Sequence, residues 1–140
     1  MAVTNSDGFF RHRGVGVKVS GVKKSYRTAA EEIHALTDID WDVESGQALA
    51  IMGPSGCGKT TLLNLIGGVD RPTRGNVVVD GQDLSRASER ALEDYRLRKV
   101  GFVFQFLNLI PSMTAFENLE MPMTVLGVPQ ADRRARVHTL

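Results

Sequence analysis

The amino-acid sequence predicts an α/β fold that includes a strand of a parallel sheet. Two apolar segments, 48–52 and 100–104, have the composition of buried strands, and the first shows none of the alternation of a half-exposed strand. Helical patterns at 60–66 and 88–97 alternate with them, and a short strand at 77–79 runs into an Asp-Gly hairpin turn. Helices that alternate with apolar strands indicate the α/β class.

Two further strands are predicted before the segment 48–52. Valines mark the first strand at 17–22, and apolar residues alternate with aspartates at 38–43 in the second. Acidic residues at alternate positions usually form a solvated strand face, so we assign these aspartates no role. Residues 1–15 are expected to be a flexible N-terminus, and residues 16–140 to be one domain.

The C-terminal part of the sequence predicts two helices. Thr114 and Glu117 have the spacing of a capping box, and the apolar stripe that follows stops at Gly127. Pro122 is expected to kink this helix. A last helix is predicted from 132 to 140, with no stop signal.

Composition excludes several classes of function. The chain has 140 residues, of which 42% are hydrophobic and 24% charged, with a formal net charge of +1. This balance suits a globular domain and gives no indication of a nucleic-acid partner. Cys57 is the only cysteine, which excludes an internal disulfide and is consistent with a reducing compartment. No signal peptide or membrane-spanning apolar run is present in the sequence.

The strongest motif lies between a predicted strand and a predicted helix. Residues 53–60, Gly-Pro-Ser-Gly-Cys-Gly-Lys-Thr, satisfy the pattern G-x-x-x-x-G-K-[ST] of a P-loop. Glycines let the backbone turn its N–H groups inward as an anion-binding nest, and the helix N-terminus adds partial positive charge. Lys59 is expected to reach the β- and γ-phosphates of a nucleoside triphosphate, and Thr60 to ligate Mg²⁺.

The predicted binding residues therefore belong mainly to this loop. They are Gly53, Ser55, Gly56, Cys57, Gly58, Lys59, Thr60 and Thr61. Thr61 is included because its hydroxyl follows the motif directly.

With the loop fixed, the chain resembles the nucleotide-binding subunit of an ATP-binding cassette (ABC) transporter along almost all of residues 17–140. The segments IMGPSGCGKTTLLNLIGGVDRPTRG at 51–75 and GFVFQFLNLIPSMTAFENLEMPM at 101–123 carry the resemblance. It is similar to the branch that serves lipoprotein release, macrolide export and related systems. The resemblance implies a P-loop NTPase fold of ABC type, with ATP and Mg²⁺ as ligands.

Two site residues come from the resemblance alone. Tyr26 matches the aromatic residue that stacks on adenine in this family, although a tyrosine at a strand end is by itself more often surface packing. Gln105 matches the Q-loop glutamine, which contacts Mg²⁺ and the attacking water, and we count it with Lys59 as catalytic. The apolar residues Phe106, Leu107, Leu109 and Ile110 then suggest a docking surface for a membrane partner; without the resemblance, completion of a core is an equal alternative.

The resemblance also implies partners and a location. Family members dimerise head to tail, dock on membrane permease subunits at the inner face of the cell membrane, and hydrolyse ATP to drive transport. The signature loop, the Asp-Glu strand (Walker B) and the histidine switch of the family have no match in these 140 residues. We therefore expect an N-terminal portion that binds ATP and does not hydrolyse it at the family's usual rate.

Two other functions stay open at this point. A P-loop kinase acting on a small molecule would use Arg96, Arg98, Arg133 or Arg134 as a lid. A non-catalytic nucleotide-binding remnant would need neither a lid nor a partner. The transported substrate is not readable, since specificity belongs to the permease.

Overall fold

The computed structural model describes residues 14–29, 31–106 and 108–139. They form two compact units, one that ends at Lys99 and one that begins at Val100. This boundary lies within the single domain predicted for residues 16–140, which stays a prediction. Most of the expected flexible N-terminus, residues 1–13, lies outside the described residues.

The first unit is a four-stranded antiparallel sheet with two helices. Its elements in chain order are β1 (Val17–Arg27), β2 (Glu32–Val43), α1 (Lys59–Ile66), β3 (Arg74–Val79), β4 (Gln82–Asp83) and α2 (Glu89–Lys99). The strand order is β2-β1-β3-β4, so β1 is a central strand. Val17 pairs with Val43 of β2 on one side and with Val79 of β3 on the other.

An irregularity in β1 gives one of the aspartates a structural role. The pairing of β1 with β2 shifts between Val19 and Val22, and Gly21 in this interval has a φ of +55°. The Asp40 carboxylate accepts a hydrogen bond from the Gly21 N–H at 2.8 Å. Asp40 therefore satisfies a backbone donor that the bulge removes from the strand ladder, a role that the alternating pattern alone did not indicate.

The core of this unit lies between the sheet and the two helices. Every element except β4 contributes buried apolar side chains. They are Val19, Val22, Leu36, Val43, Leu62, Leu65, Val77, Val79, Leu92 and Tyr95, and Leu84, which follows β4, is also buried. The Tyr95 hydroxyl donates to the Ile66 carbonyl at 2.8 Å, and the Arg96 guanidinium donates to the Gly68 carbonyl at 2.6 Å. Residues of α2 thus satisfy the carbonyls at the C-terminal end of α1.

The two segments predicted as buried parallel strands are not strands here. Residues 48–52 and 100–104 have no assigned strand, and Met52 and Val103 are 88% and 100% exposed. A strand needs a neighbour for its hydrogen bonds, and none of the strand pairings in the described part of the chain includes either segment. The sheet of the described residues is antiparallel throughout, whereas the segment 48–52 was expected to form a strand of a parallel sheet.

The second unit contains a helical hairpin. α3 (Ala115–Val125) begins at the predicted capping box, with the Thr114 side chain accepting from the Glu117 N–H. It continues through Pro122, so the kink stays a prediction. α4 (Gln130–Val137) ends before the predicted position 140.

Polar side chains hold this hairpin and the loop before it. The Asn118 side chain accepts from the Ile110 N–H at 2.8 Å and donates to the Met113 and Thr114 carbonyls at 3.1 and 2.9 Å. Arg133 of α4 pairs with Glu120 of α3 at 2.8 Å. Within the described residues, no helix is long and apolar enough to cross a membrane.

We expect Gly58→Ala to destabilise the first unit more than Gly56→Ala does. Both glycines have positive φ, +91° and +81°, so both alanines are strained. Only at Gly58 would the new Cβ meet other atoms, the Ala35 carbonyl oxygen at 2.5 Å and a Leu36 methyl at 2.7 Å. Urea denaturation followed by circular dichroism measures the difference, which we expect to be about 1 to 3 kcal/mol. Equal losses would show that contact with β2 does not restrict position 58.

A second prediction concerns pH and Tyr95, which is 5% exposed. Burial raises the pKa of Tyr95 to about 12. A tyrosine whose pKa is higher in the folded state than in the unfolded state stabilises the fold below pH 10, and this contribution is lost between pH 10 and 12. Tyr95→Phe, which loses the bond to Ile66, should therefore be about 1 kcal/mol less stable at pH 8 and nearly as stable as the wild type at pH 11. Urea denaturation at both pH values measures this, and a deficit independent of pH would contradict it.

Candidate functional site

The loop 53–58 precedes α1 with the backbone that its glycines predict. Gly56 and Gly58 have left-handed dihedrals, and Gly58 is the N-cap of α1. The helix ladder starts with the bond from the Leu62 N–H to the Gly58 carbonyl at 2.9 Å, so the preceding amides have no acceptor within the helix. No acidic residue lies in the first turn to compete for them. An anion is therefore favoured at this helix end.

The Lys59 ammonium lies inside the loop. Its Nζ donates to the Gly53 and Pro54 carbonyls at 2.9 and 2.7 Å and lies 3.6 Å from the Cys57 sulfur. The Cys57 thiol is free and exposed. A cation held by loop carbonyls can exchange them for phosphate oxygens, which are charged and form stronger hydrogen bonds.

The two threonines after Lys59 differ in their surroundings. Thr60 is exposed in the first turn of α1, as is Ser55 in the loop. The Thr61 side chain lies near the Tyr26 hydroxyl of β1, where it opposes the rise in the pKa of that hydroxyl. Thr61 therefore lies near the residue that is predicted to stack on the adenine base. Its place beside the phosphates stays a prediction.

Tyr26 belongs to a network that sequence reasoning missed. Its hydroxyl donates to the Asp70 carboxylate at 2.8 Å, and the Lys24 ammonium donates to the other Asp70 oxygen at 2.6 Å. The same ammonium lies 4.7 Å from the centre of the Tyr26 ring. Lys24 and Tyr26 are two residues apart on one strand, so they share a face, which is the only sign of this contact in the sequence.

The charges of the network follow from its hydrogen bonds. Burial alone would raise the pKa of Asp70, but the hydrogen bonds from Lys24, from Tyr26 and from the Arg71 N–H outweigh burial and lower this pKa. Burial and then the bond to Asp70 raise the pKa of Tyr26 above its usual value. Asp70 is thus a carboxylate at neutral pH, and Tyr26 keeps its proton.

Gln105 lies in the second unit. It is exposed in a bend that follows the segment 100–104. Of the residues predicted for docking, Phe106 and Leu109 are exposed, Ile110 is half-buried, and Leu107 lies outside the described residues. An exposed amide and exposed apolar side chains are consistent with the roles expected for this loop, which stay predictions.

Three of the four arginines that the kinase alternative requires have other partners. Arg96 bonds to Gly68 and pairs with Glu89, and Arg98 pairs with Asp94 at 2.6 Å. Arg133 is committed to Glu120. Arg134 is exposed on α4. The geometry therefore does not favour a lid of arginines over the phosphate loop.

Oxygen ligands for a divalent cation are available in the loop. In the part of the chain that the structure describes, no three His, Cys, Asp or Glu side chains cluster as a metal site. The Thr60 hydroxyl is exposed at the helix end where an anion is favoured. Mg²⁺ is commonly held by few protein oxygens together with phosphates and waters, so the residues present fit this ion when it arrives with a nucleotide.

Comparison with known proteins identifies the family of this chain. The sequence profile described as "ABC transporter" matches residues 36–140. An uncharacterised ABC transporter ATP-binding protein of Thermotoga maritima is 44% identical over 119 residues, which cover 85% of this chain and 51% of that protein. The lipoprotein-releasing system ATP-binding protein LolD of Chromohalobacter salexigens is 37% identical over 137 residues. The aligned residues cover 98% of this chain and 58% of LolD.

A solved structure extends the likeness to the fold. The ATP-binding cassette MJ0796, in a dimeric post-hydrolysis state bound to ADP and Pi, superimposes with a TM-score of 0.78 at 39% identity. The match covers 88% of this chain and 54% of that one. The chain thus spans about half the length of the relatives it matches. The fold class predicted from the sequence is confirmed, and the chain belongs to the ABC transporter family.

Proposed function

We propose that this chain binds ATP with Mg²⁺ and belongs to the ATPase subunit of an ABC transporter. The observation that carries the proposal is the Lys59 ammonium, which lies 2.7 to 2.9 Å from two loop carbonyls and belongs to the first residue of α1, a helix with no acidic residue in its first turn. This arrangement places a full positive charge and a helix N-terminus at one point. Likeness to a cassette whose solved structure holds ADP and Pi supports the same ligand class.

The phosphates would lie on the loop backbone, with Lys59 on the β- and γ-phosphates. Gly53, Ser55, Gly56, Cys57 and Gly58 supply the backbone of the cradle, and the glycines leave room for the close approach of an anion. Thr60 would hold Mg²⁺ through its hydroxyl, and the family resemblance implies that the Gln105 amide oxygen is a further ligand. The ion would neutralise charge that develops on the phosphate oxygens. Gln105 would also orient the attacking water.

The adenine would stack on Tyr26. This ring is 39% exposed, and its hydroxyl is bound to Asp70 in the turn after α1. An aromatic face stacks on a base with roughly 1 to 3 kcal/mol in nucleic-acid complexes. Base and phosphates would then be bound by neighbouring parts of the same unit.

The whole protein would hydrolyse ATP to drive transport. We propose that it forms a homodimer, as MJ0796 does, and docks on membrane permease subunits at the inner face of the cell membrane. The exposed side chains of Phe106 and Leu109 would take part in that contact. Similarity to LolD favours lipoprotein release or a related export system.

Lys59→Ala should weaken the binding of Mg-ATP by roughly tenfold to a hundredfold, since hydrogen bonds between charged groups contribute about 1.5 to 3 kcal/mol. Isothermal titration calorimetry measures this. Lys18→Ala, which removes an exposed lysine from β1, is the matched control and should bind like the wild type. An unchanged dissociation constant for Lys59→Ala, with melting curves that show both variants folded, would exclude the loop as the binding site.

Mg-ATP should protect Cys57 from maleimide. The thiol is exposed and 3.6 Å from Lys59 Nζ, so phosphates bound to that ammonium would cover it. Mass spectrometry would follow labelling with and without the nucleotide, and adenosine, which lacks phosphates, should give no protection. Equal labelling with and without Mg-ATP at saturating concentration would place the nucleotide elsewhere.

A further inference from the structure

We propose that Asp70, held by Lys24, is a positioning residue that fixes the Tyr26 ring for stacking on the nucleotide base. The proposal rests on the proposed function, because it concerns the base side of the same nucleotide site. It adds two residues to which neither the loop motif nor the family resemblance assigned a role.

The Tyr26 ring is held in place through its hydroxyl. Tyr26 lies one residue before the end of β1, with more than a third of its surface exposed. A side chain there has rotamer freedom that must be lost before a base stacks on it. Its hydroxyl is instead held by the hydrogen bond to Asp70 at 2.8 Å.

Asp70, which accepts the hydrogen bond from Tyr26, is itself held by neighbouring groups. The carboxylate accepts from Lys24 at 2.6 Å and from the Arg71 N–H at 2.7 Å. Lys24 also donates to the Arg71 carbonyl at 2.8 Å. The turn that carries Asp70 is bound to β1, through the Thr73 N–H to the Lys23 carbonyl at 2.8 Å. Asp70 is therefore a fixed acceptor rather than a mobile surface acid.

Burial separates this pair from the surface ion pairs of the chain. The side chains of Lys24 and Asp70 are 12% and 30% exposed, whereas those of Arg98 and Asp94, at the same 2.6 Å distance, are 60% and 63% exposed. Exposed pairs are screened by water and contribute little. A half-buried carboxylate that accepts three hydrogen bonds is better suited to fix a geometry.

Lys24 covers one face of the Tyr26 ring and leaves the other face for a base. The Lys24 ammonium lies over one face, 4.7 Å from the ring centre. A stacked base would occupy the opposite face. The turn that carries Asp70 follows α1 in the chain, so the bond from Tyr26 to Asp70 fixes the ring relative to the unit that contains the phosphate loop. Preorganisation of one side chain corresponds to about threefold to tenfold in affinity.

The test compares Mg-ATP with magnesium tripolyphosphate, which has phosphates and no base. Tyr26→Phe keeps the ring and the Lys24–Asp70 pair but removes the hydroxyl, and Asp70→Ala removes the acceptor. Each should lower the affinity for Mg-ATP by about threefold to tenfold and leave the affinity for tripolyphosphate unchanged. The double variant should lose no more than Asp70→Ala alone, because both changes break one interaction.

Asp94→Ala removes the matched exposed carboxylate and should change neither affinity. If Asp70→Ala fails to fold, the Tyr26→Phe comparison decides the proposal by itself. If the wild type binds both ligands and Tyr26→Phe leaves the ratio of the two affinities unchanged, the positioning role is wrong. The proposed function is then still intact. A wild-type chain that binds neither ligand overturns both.

Discussion

The close approach of the phosphate loop to β2 is the constraint on which the nucleotide site depends. The backbone at Gly58 lies so near the Ala35 carbonyl and the Leu36 side chain that no Cβ fits. This contact fixes where α1 begins, and therefore where Lys59 and the free amides of the first turn lie. The antiparallel sheet thus serves as the platform for the loop, and the buried leucines of α1 keep the helix against it.

Side chains that bind backbone groups stabilise the irregular segments on both sides of the unit boundary. Within the first unit, Asp70 accepts from the chain beside it and from Lys24, which fixes the turn after α1. Within the second unit, Asn118 bonds to Ile110 and to the carbonyls of Met113 and Thr114. In each case a single polar residue replaces the ladder that a helix or strand would provide. Functional loops can in this way keep a defined shape without regular structure.

The sequence predicted those features that depend on local chemistry. The loop glycines, the start of α1 and the Thr114 capping box are specified by neighbouring residues, and the structure confirms them. The segments 48–52 and 100–104 were predicted wrongly as strands because a strand depends on distant partners, which the local pattern does not report. The bond from Tyr26 to Asp70 joins residues 44 positions apart, so no spacing rule could reveal it. The roles of Tyr26 and Gln105 came only from the family resemblance, and both stay predictions.

The contact between Arg96 and the end of α1 has an electrostatic consequence. The helix has eight residues and no basic side chain in its last turn, so the cation beside its negative pole comes from α2, where Arg96 donates to the Gly68 carbonyl at 2.6 Å. The positive pole, by contrast, has no acidic side chain in its first turn. One end of the dipole is compensated from within the chain, while the other is left for an external anion. A bound triphosphate would complete the neutralisation of a helix about 12 Å long, so ligand binding and the anchoring of α2 act on the same dipole from opposite ends.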